Sequence, residues 1–334
     1  MSDKEYDSDS QGEDTIGEKD KVKSLKRRPG RPKKHIPREI QTKKGILEIN
    51  DNKNYLVELS YENLTTFKKI SSFFKSLNSD KIHIEFLPLE MNIYTKNFKE
   101  QTDTRIRFHG EKMNSYWSEA PFSVDINFTN LESIFSKLDK IYTLSKIIVD
   151  KKSQNKHIML ILENEFYIDE KFDINIILDE KSQNIEYGKS FETDDNIYQL
   201  EFKLPGKYFK KMISDSKQMD KQWTIEKHGS SGPLLFKYKS ENNQVSATLT
   251  PKKSKLHEFD IRTTLGEREI LSVSIYIDNI KPTASAQLGN DVYFKVSKDK
   301  PLRIFTKVDG DAVSADIIVS TVNYKAQDAT LQGN

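Results

Sequence analysis

The chain has 334 residues, of which 31% are charged and 35% hydrophobic, and its formal net charge is +2. That length allows two domains with cores of their own. It holds no cysteine, which excludes disulfides and thiolate metal sites and suits a reducing compartment. No apolar run approaches the roughly 18 residues of a membrane-spanning helix, and the acidic start does not read as a signal peptide.

The charge is unevenly placed. Residues 1–20 carry eight acids against Lys4 and Lys19, and residues 21–44 carry eleven bases against Glu39. Acidic and basic blocks of such low apolar content predict a flexible tail over residues 1–44. Its centre is Lys26-Arg27-Arg28-Pro29-Gly30-Arg31-Pro32. One reading is an import signal or a nonspecific phosphate-binding patch. The other is an AT-hook-like motif, in which Arg28 and Arg31 enter the narrow minor groove of A·T tracts while Gly30 allows close approach. Pro29 stands where the usual hook has its first Arg.

From residue 45 the pattern is globular. Residues 56–59 predict a strand and 61–77 a helix, with Leu64, Phe67, Ile70, Phe74 and Leu77 at spacings of three and four. Lys68, Lys69 and Lys75 fall on its opposite face. Strands are predicted over 82–86, 91–95, 105–108 and 122–128. Thr129 then caps a second helix whose stripe is Leu131, Ile134, Phe135, Leu138 and Tyr142, with Lys137 and Lys140 turned away. Strands over 145–149, 157–162 and 172–178 close this half.

Residues 180–196 are polar, charged and without period, and read as a connector between two similar halves. The second half repeats the order. A strand over 197–204 leads into a helix from Pro205-Gly206 to about residue 219, carrying Lys207, Lys210, Lys211 and Lys217, with Lys221 beyond. Strands follow at 223–227, 234–238, 245–249, 259–263 and 269–276. A short helix over 278–286 carries Lys281, with Pro282 expected in its first turn or breaking it. Strands at 292–296, 302–308 and 313–321 finish the fold. Residues 324–334 read as a flexible end.

No catalytic constellation is present. The six histidines are scattered, none at metal-ligand spacing with another, and no phosphate-binding glycine loop occurs. The lysines are the informative feature: eleven fall on or beside four helices. Without them the body, residues 45–334, would drop from −2 to −13. If those helices share one side of the sheets, that side is a basic track for a polyanion held by charge, without base reading.

Several segments together resemble sliding clamps of the PCNA family over about residues 45–323. Phe67-Lys68-Lys69-Ile70 with Lys75, Ser136–Lys140, Leu204-Pro205-Gly206 with Tyr208-Phe209, Pro301-Leu302, and Val308-Asp309-Gly310 running into 313–322 carry the likeness. The basic tail running into Lys44-Gly45-Ile46 is similar to the PCNA-like proteins of African swine fever virus and related large DNA viruses. The resemblance implies an α+β DNA-clamp fold: two tandem similar domains (45–179 and 197–323), antiparallel sheets outside, basic helices lining the ring of a homotrimer. It implies a DNA polymerase processivity factor in viral DNA replication and repair, with no cofactor and no reaction of its own. Its partners would be double-stranded DNA, a polymerase and other replication or repair proteins bringing a PCNA-interacting peptide, and a clamp loader as a further candidate. It implies an intracellular site, the host nucleus or a cytoplasmic viral factory, and no membrane.

By the same resemblance, partners dock on connector residues Ile185 and Tyr187, Pro301, Ile317 and Val319 of the last strand, and Phe98. Subunits join through one edge carrying Ile174, Ile176 and Leu178 and another carrying Val245, Ala247 and Leu249, which predicts that Ala247→Pro gives folded monomers. Two other readings of the residues stay open. One is a monomeric, non-ring DNA-binding processivity factor; the other is a chromatin-type protein whose AT-hook does the binding.

Overall fold

The computed structural model describes residues 54–97, 101–138, 141–153, 156–166, 169–177, 191, 198–216, 221–239, 244–249 and 259–322. For 37–40, 48–50, 216, 239 and 244–249 it describes the backbone alone. All belong to one compact unit, Ile36–Asn334. A two-stranded antiparallel sheet, β1 (Pro37–Ile40) with β2 (Glu48–Asn50), precedes the main body. β1 lies inside the stretch expected to be tail. Residues 35–42 hold one base, Arg38, beside one acid, Glu39, so this stretch does not repel itself as the bases of residues 21–34 do.

The body is one order of elements used twice. The first half runs β3 (Tyr55–Tyr61), α1 (Leu64–Ser76), β4 (Lys81–Phe86), β5 (Glu90–Lys96), β6 (Thr102–His109), β7 (Ser115–Ser118), β8 (Phe122–Asn127), α2 (Phe128–Phe135), β9 (Tyr142–Asp150), β10 (His157–Asn164) and β11 (Asp169–Asn175). The second runs β12 (Leu200–Pro205), α3 (Gly206–Ser216), β13 (Gln222–His228), β14 (Leu234–Lys239), β15 (Gln244–Leu249), β16 (Arg262–Thr263), β17 (Ile270–Tyr276), α4 (Ile277–Ala286), β18 (Asp291–Val296), β19 (Leu302–Asp309) and β20 (Val313–Val319).

The pairings repeat as well. The first half makes the orders β11-β10-β9-β3-β7 and β6-β5-β4-β8; the second makes β20-β19-β18-β12-β16 and β15-β14-β13-β17. β20 then pairs antiparallel with β6, from Val313 opposite Phe108 to Val319 opposite Thr102, and fuses one sheet from each half into nine strands. β11 and β15 remain as the outer strands of their sheets.

Packing explains the helices. α1 buries Leu64, Phe67, Ile70 and Phe74 on one stripe, and each apolar side chain so buried contributes roughly 1.5–3 kcal/mol. Phe67 stacks on Phe108 at 5.4 Å and meets Phe135 of α2 at 5.0 Å. In the second half Phe209 of α3 meets Phe294 edge-on at 5.1 Å, and Trp223 stacks on Phe236 at 5.5 Å. α1 is followed by Asn78, whose φ of 54° is a left-handed conformation that Asn tolerates. The halves are also tied by side chains: the Tyr61 hydroxyl and the Asn63 amide both donate to Asp309, the latter at 2.8 Å. α3 starts at Gly206 because its amide bonds the Asn290 carbonyl at 2.6 Å, and a Cβ there would stand 2.6 Å from the Gly289 carbonyl oxygen.

Three local expectations need correction. α2 is capped by Asn127, whose side chain accepts from the Thr129 amide at 2.8 Å, so Thr129 is inside the helix. The same helix stops at Phe135; Leu138 is buried beyond it, and Tyr142 opens β9. Pro282 is the sixth residue of α4 and does not break it. Proline there leaves the Asp278 carbonyl without its intrahelical donor, and Asp278 is exposed, so water can serve that oxygen.

Candidate nucleic-acid interface

The four helices lie side by side. α2 packs on α1, α1 on α4 across the boundary between halves, and α4 on α3. The row α2-α1-α4-α3 is therefore continuous, which was the condition for a single basic track. Its helical residues include seven lysines against Glu132, Asp215 and Asp278. Lys68, Lys69, Lys75, Lys207, Lys210 and Lys211 are exposed, and Lys281 is half-buried. On α1 and α3 the stems leave from faces away from the buried stripes, so each ammonium can reach outward while the helix stays packed.

Some of these lysines are tethered. Lys75 pairs with Glu132 at 2.6 Å, and Lys68 Nζ donates to the Leu138 carbonyl at 2.5 Å. Lys137 is exposed in the turn after α2. Lys221 is exposed before β13, where its carbonyl accepts from the Ile277 amide at 2.8 Å and so marks the start of α4. Lys140, Lys217, Arg28 and Arg31 lie outside the described residues. An array of exposed ammonium groups on separate flexible stems can attract a polyanion through many weak contacts, none of which fixes its register. Among the described residues no group of three or more His, Asp or Glu is placed to hold a metal.

The expected subunit edges are placed as follows. β11 and β15 are outer strands, each hydrogen-bonded on one side only among named strands, apart from one isolated bridge from Ile176 to Ile126. The side chains need correction on the first edge. Ile174 is 2% exposed in the core of its own half, with Phe172 and Ile176 packed beside it. They hold β11 against its own sheet, so what this edge can offer a second chain is backbone N–H and C=O. Leu178 is outside the described residues, and Val245, Ala247 and Leu249 are described as backbone in β15.

The expected partner surface changes more. Ile317 and Val319 are fully buried on the inner face of β20 with Val313 and Ala315. The strand alternates, so the outer face carries Asp316 and Ile318 instead. Ile318 packs with Tyr94 of β5 and with Phe191, an aromatic of the connector that periodicity could not single out. The rings of Tyr94 and Phe191 are 6.2 Å apart, and the Arg105 guanidinium sits 4.9 Å from the Phe191 ring. Burial and the neighbouring Glu85 carboxylate push the Tyr94 hydroxyl up to about 12. Pro301 is half-buried at the entrance to β19; Ile185, Tyr187 and Phe98 are outside the described residues.

Against solved structures, the chain superposes on proliferating cellular nuclear antigen from Entamoeba histolytica with a TM-score of 0.64, covering 80% of this chain and 99% of that one. The fold is that of PCNA. Sequence identity in that superposition is 17%, so the agreement is one of architecture. No family model matches the chain. Among curated proteins it is similar to an uncharacterized protein of African swine fever virus. In a South African tick isolate that relative is 26% identical over 273 residues, which is 80% of this chain and 89% of the relative. The same identity and coverage hold for its counterpart in a Kenyan pig isolate.

Proposed function

We propose that this protein is a sliding clamp that encircles double-stranded DNA and acts as a processivity factor, tethering a DNA polymerase and other replication or repair proteins. The observation that carries the reading is the repeated topology. β6 and β15 hold equivalent places in the two halves, as do β20 and β11. Within the chain β20 pairs with β6. The equivalent pairing, β11 with β15, is not made among the described residues. A second copy supplies one head to tail, and repetition of that step closes a ring. Open strand edges are otherwise a liability for aggregation. The PCNA fold supports a count of three subunits.

In such a ring the lysine row faces the hole. Its contribution is topological. Weak, distributed phosphate contacts keep the duplex centred and free to move, whereas a few strong ones would stall it. Partner proteins dock on the outside, on the outer face of β20, where Phe191 of the connector packs with Tyr94 and Ile318. Phe191 already fills the Tyr94–Ile318 surface, and Pro301 with Ile185 and Tyr187, the last two outside the described residues, are the proposed anchors for a short partner peptide with aliphatic and aromatic side chains.

The test is retention on DNA. Loaded on a nicked circular plasmid and challenged with high salt, the protein should co-elute with the circle and leave it once the plasmid is cut. A charge-held monomer would leave the circle as salt rises, and an AT-hook protein would lose all binding on deletion of residues 1–44.

A further inference from the structure

The outer face of the nine-stranded sheet holds a second basic feature. Alternation places Tyr293 and Lys295 of β18, Arg303 and Phe305 of β19, Asp316 of β20, and Arg105 and Arg107 of β6 on that face. The register sets Tyr293 opposite Phe305, Lys295 opposite Arg303, Phe305 opposite Asp316, and Asp316 opposite Arg105. These side chains line a groove of about 320 Å3.

Its chemistry is specific. Tyr293 and Phe305 form a ring pair 6.1 Å apart at one end. Asp316, 5% exposed, is the one carboxylate among the described lining residues, and two arginines share it. Arg303 donates to it through Nε at 2.9 Å and Nη2 at 2.6 Å, and Arg105 through Nη2 at 2.9 Å. One carboxylate therefore fixes two guanidinium planes and neutralises one of them. Arg105 Nε is buried and has no hydrogen-bond partner. Arg107 and Lys295 complete the rim. Glu90, 3.3 Å from Arg107, and Glu201, 3.5 Å from Lys295, meet them from outside the lining.

We propose that this groove docks an acidic peptide segment of a partner protein, one that sets an apolar or aromatic side chain on the Tyr293–Phe305 rings between carboxylates bound by the rim. Guanidinium forks held in place match carboxylates in two parallel hydrogen bonds, and Arg beside aromatic rings is the composition of interface anchors. A nucleic acid is disfavoured by shape. The bases cluster around a small ring-floored hollow, whereas a strand of phosphates needs a track. The site is separate from the helix row and does not depend on ring closure.

Fluorescence anisotropy with the full chain tests it. The probe is a short labelled peptide with a central Phe flanked by Asp and Glu; the control is its twin with Asn and Gln. The acidic peptide should bind, and the twin should bind at least about tenfold more weakly. Arg107→Glu and Lys295→Glu, which leave the Asp316 bonds intact, should each weaken the acidic peptide by about tenfold or more, since each sets like charge against the ligand. Phe305→Leu should weaken both peptides alike, and thermal melts of each variant establish that it is folded. No binding by the wild type, equal binding of the two peptides, or indifference to both charge reversals would overturn the proposal. So would displacement of the peptide by a duplex or single-stranded oligonucleotide at equal concentration, which would make the groove a nucleic-acid site.

Discussion

The helix row and the outer groove are both basic, yet they are built from different side chains. Every base within the four helices is a lysine. The body, residues 45–334, has five arginines, and three of them, Arg105, Arg107 and Arg303, line the groove. The lysines end in compact, strongly hydrated charges on mobile stems; the arginines carry planar forks, and two of the three are locked by Asp316. Of the helix-row side chains most are exposed, whereas the Arg105 and Arg303 side chains are 14% and 13% exposed. The first arrangement suits a ligand that must be held without being fixed. The second suits one that must dock in one pose. Positive charge alone therefore does not define a function here; its stiffness does.

The largest expected difference between the two basic surfaces comes from changing the open edge of β15. Consecutive amides of a strand point to opposite edges, so of Ser246→Pro and Ala247→Pro one removes a donor from the open edge of β15 and the other from its ladder with β14. The open-edge variant should be a folded monomer by light scattering. It should lose salt-resistant retention on circular DNA entirely while binding the acidic peptide as the wild type does. If both variants keep the wild-type oligomeric mass, β15 is not the closing edge. If the monomer keeps salt-resistant retention, the helix row does not work by encirclement.

The reverse break is Arg303→Ala. It leaves Asp316 buried with Arg105 as its remaining guanidinium partner, and removing one member of a buried ion pair costs about 3–5 kcal/mol. Urea unfolding should show a loss near the lower end of that range, because Arg105 still compensates. Acidic-peptide binding should vanish and the oligomeric mass should stay that of the wild type. Lys207→Ala, on the helix row, should leave stability within about 0.5 kcal/mol. Similar unfolding midpoints for the two variants would mean that the arginines are no more structural than the lysines.

Much of this was legible in the sequence, for physical reasons. α1 and α3 follow from apolar residues at spacings of three and four, and their lysines from the opposite face. The doubling of the fold follows from the order of elements on either side of residues 180–196. The groove was not legible. Arg105 and Arg303 are far apart in the chain and meet only through the β20–β6 pairing and the β19 ladder. The resemblance points to Ile317 and Val319, which are buried, and the residues themselves do not correct it, because a strand's parity is invisible in a run such as Asp316-Ile317-Ile318-Val319, where three apolar residues follow one another. β7 was missed because four residues, Ser115–Ser118, show no period. Phe191 carries a weak signal: it is the second aromatic, after Tyr187, in a polar connector.

On the lysine row the expected effects are smaller. Alanine at Lys68, Lys75, Lys137 or Lys211 should weaken DNA association a few-fold each and alike across sequences, reducing the slope of log affinity against log salt by up to about one unit. Loss of all binding from a single one of these changes, with the others silent, would mark a fixed phosphate site instead of a track.

The smallest effect at equilibrium gives the finest test of lysine against arginine. Replacing Lys207, Lys210 and Lys211 together with Arg keeps the charge of α3, and the salt slope depends on the number of phosphates neutralised. Affinity for duplex DNA and its salt dependence should therefore change little. The contacts themselves should change in kind, because a guanidinium can hold a phosphate through two bonds at once where an ammonium holds it as a point charge. Each step along the duplex would then break two aligned bonds per side chain. On stretched DNA, single-molecule tracking should show slower diffusion for the triple variant at matched ring occupancy, while the acidic-peptide groove, untouched by these changes, binds as before. Equal diffusion of the two proteins would show that the absence of arginine from the helices has no bearing on sliding. The contrast between the two basic surfaces would then reduce to exposure alone.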